Sequence, residues 1–152
     1  NPKSNGLTCL APVPAQKSDS LRNGDILAST GHIIMVDNVG KDPFGVAGIK
    51  SASGCVAANM SASKFDFDIL QSAPIKGGIG INRVRAATYL SEGGAMQTAM
   101  LQYALAACKA NFGAASTPLP SSARLVRHKL TADCMDKPVA LANASCVATC
   151  NR

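Results

Sequence analysis

The chain has no tryptophan, and only two tyrosines and four phenylalanines among 152 residues, so few aromatic faces are available to stack on nucleic-acid bases. No apolar run approaches the roughly 18 residues that a membrane-spanning helix needs. None of the six cysteines stands in a CxxC pair, and there are only two histidines. Their distant positions, 32 and 128, offer no zinc-ligand spacing. No cofactor or metal is expected. Charged residues make up only 16% and apolar residues 47%, the balance of a compact globular protein rather than a disordered one. No internal repeat is visible. The chain opens abruptly at Asn1-Pro2-Lys3 without a basic-then-apolar leader, which reads as a mature or trimmed product.

The cysteines stand at 9, 55, 108, 134, 146 and 150. An even number in a small chain rich in Ala, Ser and Gly favours disulfides and an oxidising, exported setting: secreted, periplasmic or cell-surface. The pairing stays open. Net charge is +6, which attracts anionic partners. The basic residues are scattered singly, which argues against nucleic acid and for an acidic envelope such as cell-wall polymer. The Asn-x-Ser triplets at Asn59 and Asn143 carry little weight, since such triplets are frequent by chance.

The length suits one domain, 1–152, with a real core. Residues 1–20, with Pro2, Pro12 and Pro14, read as an extended entry arm. Residues 21–90 read as a β core, with strands expected at Ile26-Leu27, His32–Val36, Phe44–Ile49, 65–72 and Ile79–Ile81. Turns at Gly24-Asp25 and Asp42-Pro43 punctuate them. Residues 50–64 read as a loop around Cys55. In FDFDILQS, Phe65, Phe67, Ile69 and Gln71 share one face, and Asp66, Asp68, Leu70 and Ser72 share the other. The two aspartates therefore read as a solvated face. From 91 to 152 the chain reads as a helical, Cys-rich extension. Ser91 is placed to cap a helix over 95–110, whose core stripe is Met96, Ala99, Met100, Tyr103, Ala107 and Ala110. Ala123–Lys129 reads as a further strand. A short helix from Pro138 would set Cys146 and Cys150 one turn apart in a disulfide-pinned tail. The fold class is α+β.

One of the two histidines opens the most strand-like segment, NGDILASTGHIIMVDNVG. Ile33–Val36 has no polar face and reads as buried on both sides, with His32 at its end, where a rigid backbone can present a ring to a cleft. That is what a general base requires. His128, among the basic residues of RLVRHK, reads as a surface group.

The stretch SLRNGDILASTGHIIMV resembles the NlpC-type cell-wall peptidases, a papain-like cysteine peptidase family. In that family a Gly-Asp turn and an apolar strand precede the strand that carries the catalytic histidine, and the next strand brings a polar residue that orients the imidazole. FDILQSAPIKGGIGINRVRAATYL has the shape of that next strand and its sequel. The resemblance implies a papain-like small antiparallel β-barrel or half-barrel, with His32 as base and Gln71 as orienter. It also implies an exported cysteine hydrolase of peptide amides, with peptidoglycan or a peptide as substrate; the CHAP amidases share this logic. Residues 40–64 would loop out between the two partners. The family's nucleophile lies upstream of the histidine in an Asp-Cys-Ser-Gly-like sequence. Cys9, in GLTCLAPVP, lacks those neighbours and suits a disulfide, with Cys55 as a candidate partner. The nucleophile is therefore expected on a preceding segment of the same precursor. The alternative is a catalytically inactive, disulfide-stabilised binding or inhibitor module with a papain-like core. A secreted toxin or antigen without a catalytic site is a third reading.

Overall fold

Two glycines shape the first hairpin. Gly24, at φ +86°, turns the chain into β2 (Ile26–Ser29), and Gly31, at φ +82°, closes the Thr30-Gly31 turn into β3 (His32–Asp37). A residue with a Cβ would be strained at either position. In the computed structural model, the residues described are 9–13, 20–75, 78–114 and 123–130. Besides β2 and β3 they form β1 (Leu10–Pro12), β4 (Asp68–Ile75), β5 (Gly78–Arg85) and β6 (Ala123–His128). The helices are α1 (Ala86–Tyr89) and α2 (Gly94–Asn111). The six strands form one antiparallel sheet in the order β1-β6-β2-β3-β4-β5.

The fold is α+β, and among the described residues its antiparallel sheet is not closed, with β1 and β5 at the edges. Part of the entry arm is thus β1, paired to β6, and Pro12 fits there because an edge strand can spare an N–H. The helix from Pro138 and the tail cysteines lie outside the described residues.

Strand β3 alternates, contrary to the expectation of burial on both sides. Ile34 and Val36 are buried, whereas Ile33 and Met35 are 61% and 39% exposed. Among the described residues the core lies on one side of the sheet. There, Leu27, Ile34, Ile69 and Leu125 from the strands meet Met96, Met100 and Tyr103 of α2 in one cluster. Each such large apolar side chain contributes about 1.5–3 kcal/mol by leaving water. The expected α2 stripe is buried from Met96 to Ala107, while Ala110 is only half-buried. Ser91 does not cap α2. The chain bends at Gly93 (φ +99°) and Gly94 (φ +93°), and the Ser91 hydroxyl donates instead to the Ala87 carbonyl at 2.5 Å.

Residues 44–49 form no strand. The Asp42 carboxylate accepts the N–H groups of Val46 and Ala47 at 3.0 and 2.9 Å, which satisfies locally what a β ladder would otherwise bond. Nor do residues 40–64 loop away from the protein. Phe44, Val46, Cys55, Met60 and Ala62 are all buried in the common core, and a Cys55–Cys108 disulfide ties the segment to α2. Cys55 is therefore not the partner of Cys9. On the same face of the sheet as Leu27 and Leu125, the fully buried Asp25 receives Arg127 Nε at 2.6 Å and Nη2 at 2.8 Å, fastening β6 to the Gly24-Asp25 turn.

Candidate functional site

His32 and Gln71 lie on neighbouring strands. In the β3–β4 register Gln71 faces Ile34, so His32 is its diagonal neighbour on the same, inward face. Side chains in that relation reach each other when they are long. His32 Nε2 lies 3.2 Å from Gln71 Oε1. An amide oxygen can only accept, so Nε2 carries the proton, and Nδ1 is left with the lone pair that a base needs. Gln71 is buried, and the surrounding packing fixes its amide; His32 is half-buried. A partly exposed ring held by a buried carboxamide keeps both its orientation and its access.

Three further residues complete the surroundings. Ser29 faces His32 across the hairpin, and its hydroxyl donates to the His32 carbonyl at 3.5 Å. The Tyr89 ring, at the end of α1, has its centroid 6.3 Å from that of the imidazole at an angle of 40°. Burial raises the pKa of the Tyr89 phenol above its ordinary value of 10.0, and the charge of Glu92 raises it further. The phenol therefore stays protonated wherever the imidazole works as a base. Two hollows open beside the ring. One, of about 370 Å³, lies toward Tyr89, Glu92 and the Gly93-Gly94 bend before α2. The other, of about 430 Å³, lies toward Gly31, Ile33 and Ser72. Ser29 lines both.

This arrangement can accept a proton from a group placed in either hollow and return it. It does not itself contain a thiolate. Cys9, Cys55 and Cys108 are all disulfide-bonded, so Cys9 is not available as a nucleophile. Ser29, Tyr89 and Glu92 escaped the sequence reading. Only Ser29 left a signal, because a two-residue turn places the residues on either side of it face to face.

The remaining candidates lie elsewhere. His128 is exposed at the end of β6. Asp66 and Asp68 do not form a uniformly solvated face: Asp68 is buried and takes Arg85 Nη1 at 3.1 Å and Asn38 Nδ2 at 3.0 Å, while the more open Asp66 takes Arg85 Nη2 at 3.3 Å. Among the described residues no group of His, Cys, Asp and Glu could hold a metal ion, and no helix is long and apolar enough to cross a membrane. No protein-family model, curated protein or solved structure matches the chain.

Proposed function

We propose that this chain carries the base of a cysteine hydrolase that cleaves peptide amide bonds, with His32 as base and then acid and Gln71 as its positioning residue. The observation that carries the reading is the 3.2 Å contact between His32 Nε2 and Gln71 Oε1. It leaves Nδ1 free beside two open hollows. The nucleophile is a cysteine on a segment of the same precursor that precedes this chain. Its thiol gives its proton to Nδ1, and the resulting thiolate attacks the amide carbonyl. The imidazolium then protonates the departing amine, leaving a thioester. Water, deprotonated by the same nitrogen, hydrolyses that thioester and regenerates the thiol.

The substrate class proposed is cell-wall peptidoglycan or its peptides. The net charge of +6 favours an anionic polymer. The Cys55–Cys108 disulfide is compatible with the oxidising setting outside the cytosol where such a polymer is found. A papain-like core goes with this reading as its structural half.

The test is hydrolysis of purified peptidoglycan and of its stem peptides by the full precursor, with prior iodoacetamide treatment as a second arm. Loss of activity on alkylating a single cysteine and on His32→Ala supports the proposal. Undiminished activity in His32→Ala overturns it.

One observation favours a second reading, an inactive binding module. The bend before α2 that faces His32 is Gly93-Gly94, followed by Ala95, none of which offers a thiol or hydroxyl. A precursor with every sulfur paired, binding peptide without cleaving it, is the result that this reading expects.

A further inference from the structure

The hollow of about 370 Å³ beside His32 is large enough to take a short stretch of peptide. Leu90 and Met96, both buried, line it with apolar surface, and Tyr89 adds a half-buried ring. Among its lining residues Glu92 brings the only carboxylate, and there is no lysine or arginine. The sign of charge is thus locally reversed in a chain of net charge +6.

The Glu92 carboxylate has no task in the fold. It is exposed, and it takes part in no hydrogen bond or ion pair among the described residues. Nor does it cap α2, whose N-cap is Gly93 and whose first turn holds no acidic residue. Its charge is still felt inside the hollow, where it adds to burial in raising the Tyr89 pKa. A carboxylate beside an aromatic ring suits a cation: the charge attracts it, and the negative face of the ring supports it.

We infer that Glu92 and Tyr89 bind an ammonium group of the peptide, so that this hollow selects substrates with a free amine near the bond presented to His32. The inference deepens the proposed function and rests on its reading of the hollow as a peptide site. Charge then acts at two ranges. The positive surface draws in an anionic polymer, and the local negative charge picks out an amine within it. The second hollow, toward Gly31, Ile33 and Ser72, is lined by no carboxylate and exerts no such choice. A terminal amine and the side-chain amine of a lysine or other diamino acid supply the same chemistry.

Binding to the chain is followed by NMR at the His32 imidazole and the Tyr89 ring, with His128, exposed at the end of β6, as the reference. Three probes are titrated: tri-alanine amide with a free terminus, its N-acetyl form, and the N-acetyl form with lysine as its last residue. At least one amine-bearing probe should bind about fivefold more tightly than the plain N-acetyl form, the upper range for an exposed ion pair. Preference for the first assigns a terminal amine, and preference for the third a side-chain amine. In Glu92→Gln the three probes should bind alike. Equal binding of all three by the wild type overturns the inference. So does a preference that survives Glu92→Gln, a shift as large at His128, or no binding at all. Hydrolysis by the precursor, measured separately, decides the catalytic reading. Amine-selective binding without hydrolysis ends that reading and leaves the inference standing, and hydrolysis with indifferent binding does the reverse.

Discussion

His32 Nε2 and Gln71 Oε1 stand 3.2 Å apart although 39 positions separate the two residues in the chain. The contact holds the imidazole in the tautomer with Nδ1 unprotonated, and nitrogen NMR of the neutral ring should show a proton on Nε2. In Gln71→Ala the ring should sample both tautomers. With the proposed substrate, His32→Ala should cost about 10²–10⁴ in rate. Gln71→Ala should cost about tenfold, the value of one hydrogen bond of about 1.4 kcal/mol. A Gln71→Ala enzyme as fast as wild type, with an unchanged tautomer, would remove the orienting role.

Asp25 is fully buried, and its carboxylate takes two bonds from Arg127 and one from the Arg22 N–H. Arg127→Ala leaves that carboxylate without its cation and should destabilise the protein by about 3–5 kcal/mol. Replacing the pair together, as Asp25→Asn with Arg127→Met, should cost much less, because no unpaired charge is left inside. Urea titrations of the three proteins check this, and equal losses in the single and double variants would contradict it.

The Cys55–Cys108 bond closes a loop of 53 residues in sequence separation. Restraining the unfolded chain over that span stabilises the native state by about 4 kcal/mol. The Cys55→Ala, Cys108→Ala double variant should therefore melt at markedly lower urea concentration. Its His32–Gln71 geometry, carried by the sheet, should persist, as the tautomer measurement can show.

Tyr103 lies in the core, where its hydroxyl oxygen accepts the Leu125 N–H at 3.3 Å. Burial raises its pKa above 10.0, partly offset by the Leu125 hydrogen bond and by Arg124. A raised value means that the folded state holds the proton more tightly. The associated stability is complete below the ordinary value and is lost as pH rises through the raised one. Tyr103→Phe should thus be less stable than wild type at neutral pH, and the gap should narrow at alkaline pH. Thermal melts across that range measure it, and a gap independent of pH would refute the assignment.

Several features were legible in the residues because they depend on neighbours in the chain. The period-2 pattern of Phe65, Phe67, Ile69 and Gln71 put Gln71 on the buried face, and the helical stripe from Met96 to Ala107 marked the core side of α2. Residues 44–49 carry the apolar pattern of a strand, yet Phe44 and Val46 are buried there without a ladder. Asp42 satisfies the backbone there, a competition between side chain and backbone that hydrophobic pattern does not register. The cap at Ser91 failed for a related reason, since the Gly93-Gly94 bend moved the helix start beyond it.

By itself the sequence determined which residues alternate, where glycine turns the chain, and that a histidine stands at the mouth of an apolar strand. Those are local consequences of sterics and of the periods of strand and helix. Only the tertiary structure decided that the sheet stays open, that α2 packs over β2 and β6 on one face of the sheet and not the other, and that Cys55 pairs with Cys108. It alone set Gln71 diagonal to His32, because strand register and sulfur pairing follow from how distant segments share one core, and no window along the chain contains both partners.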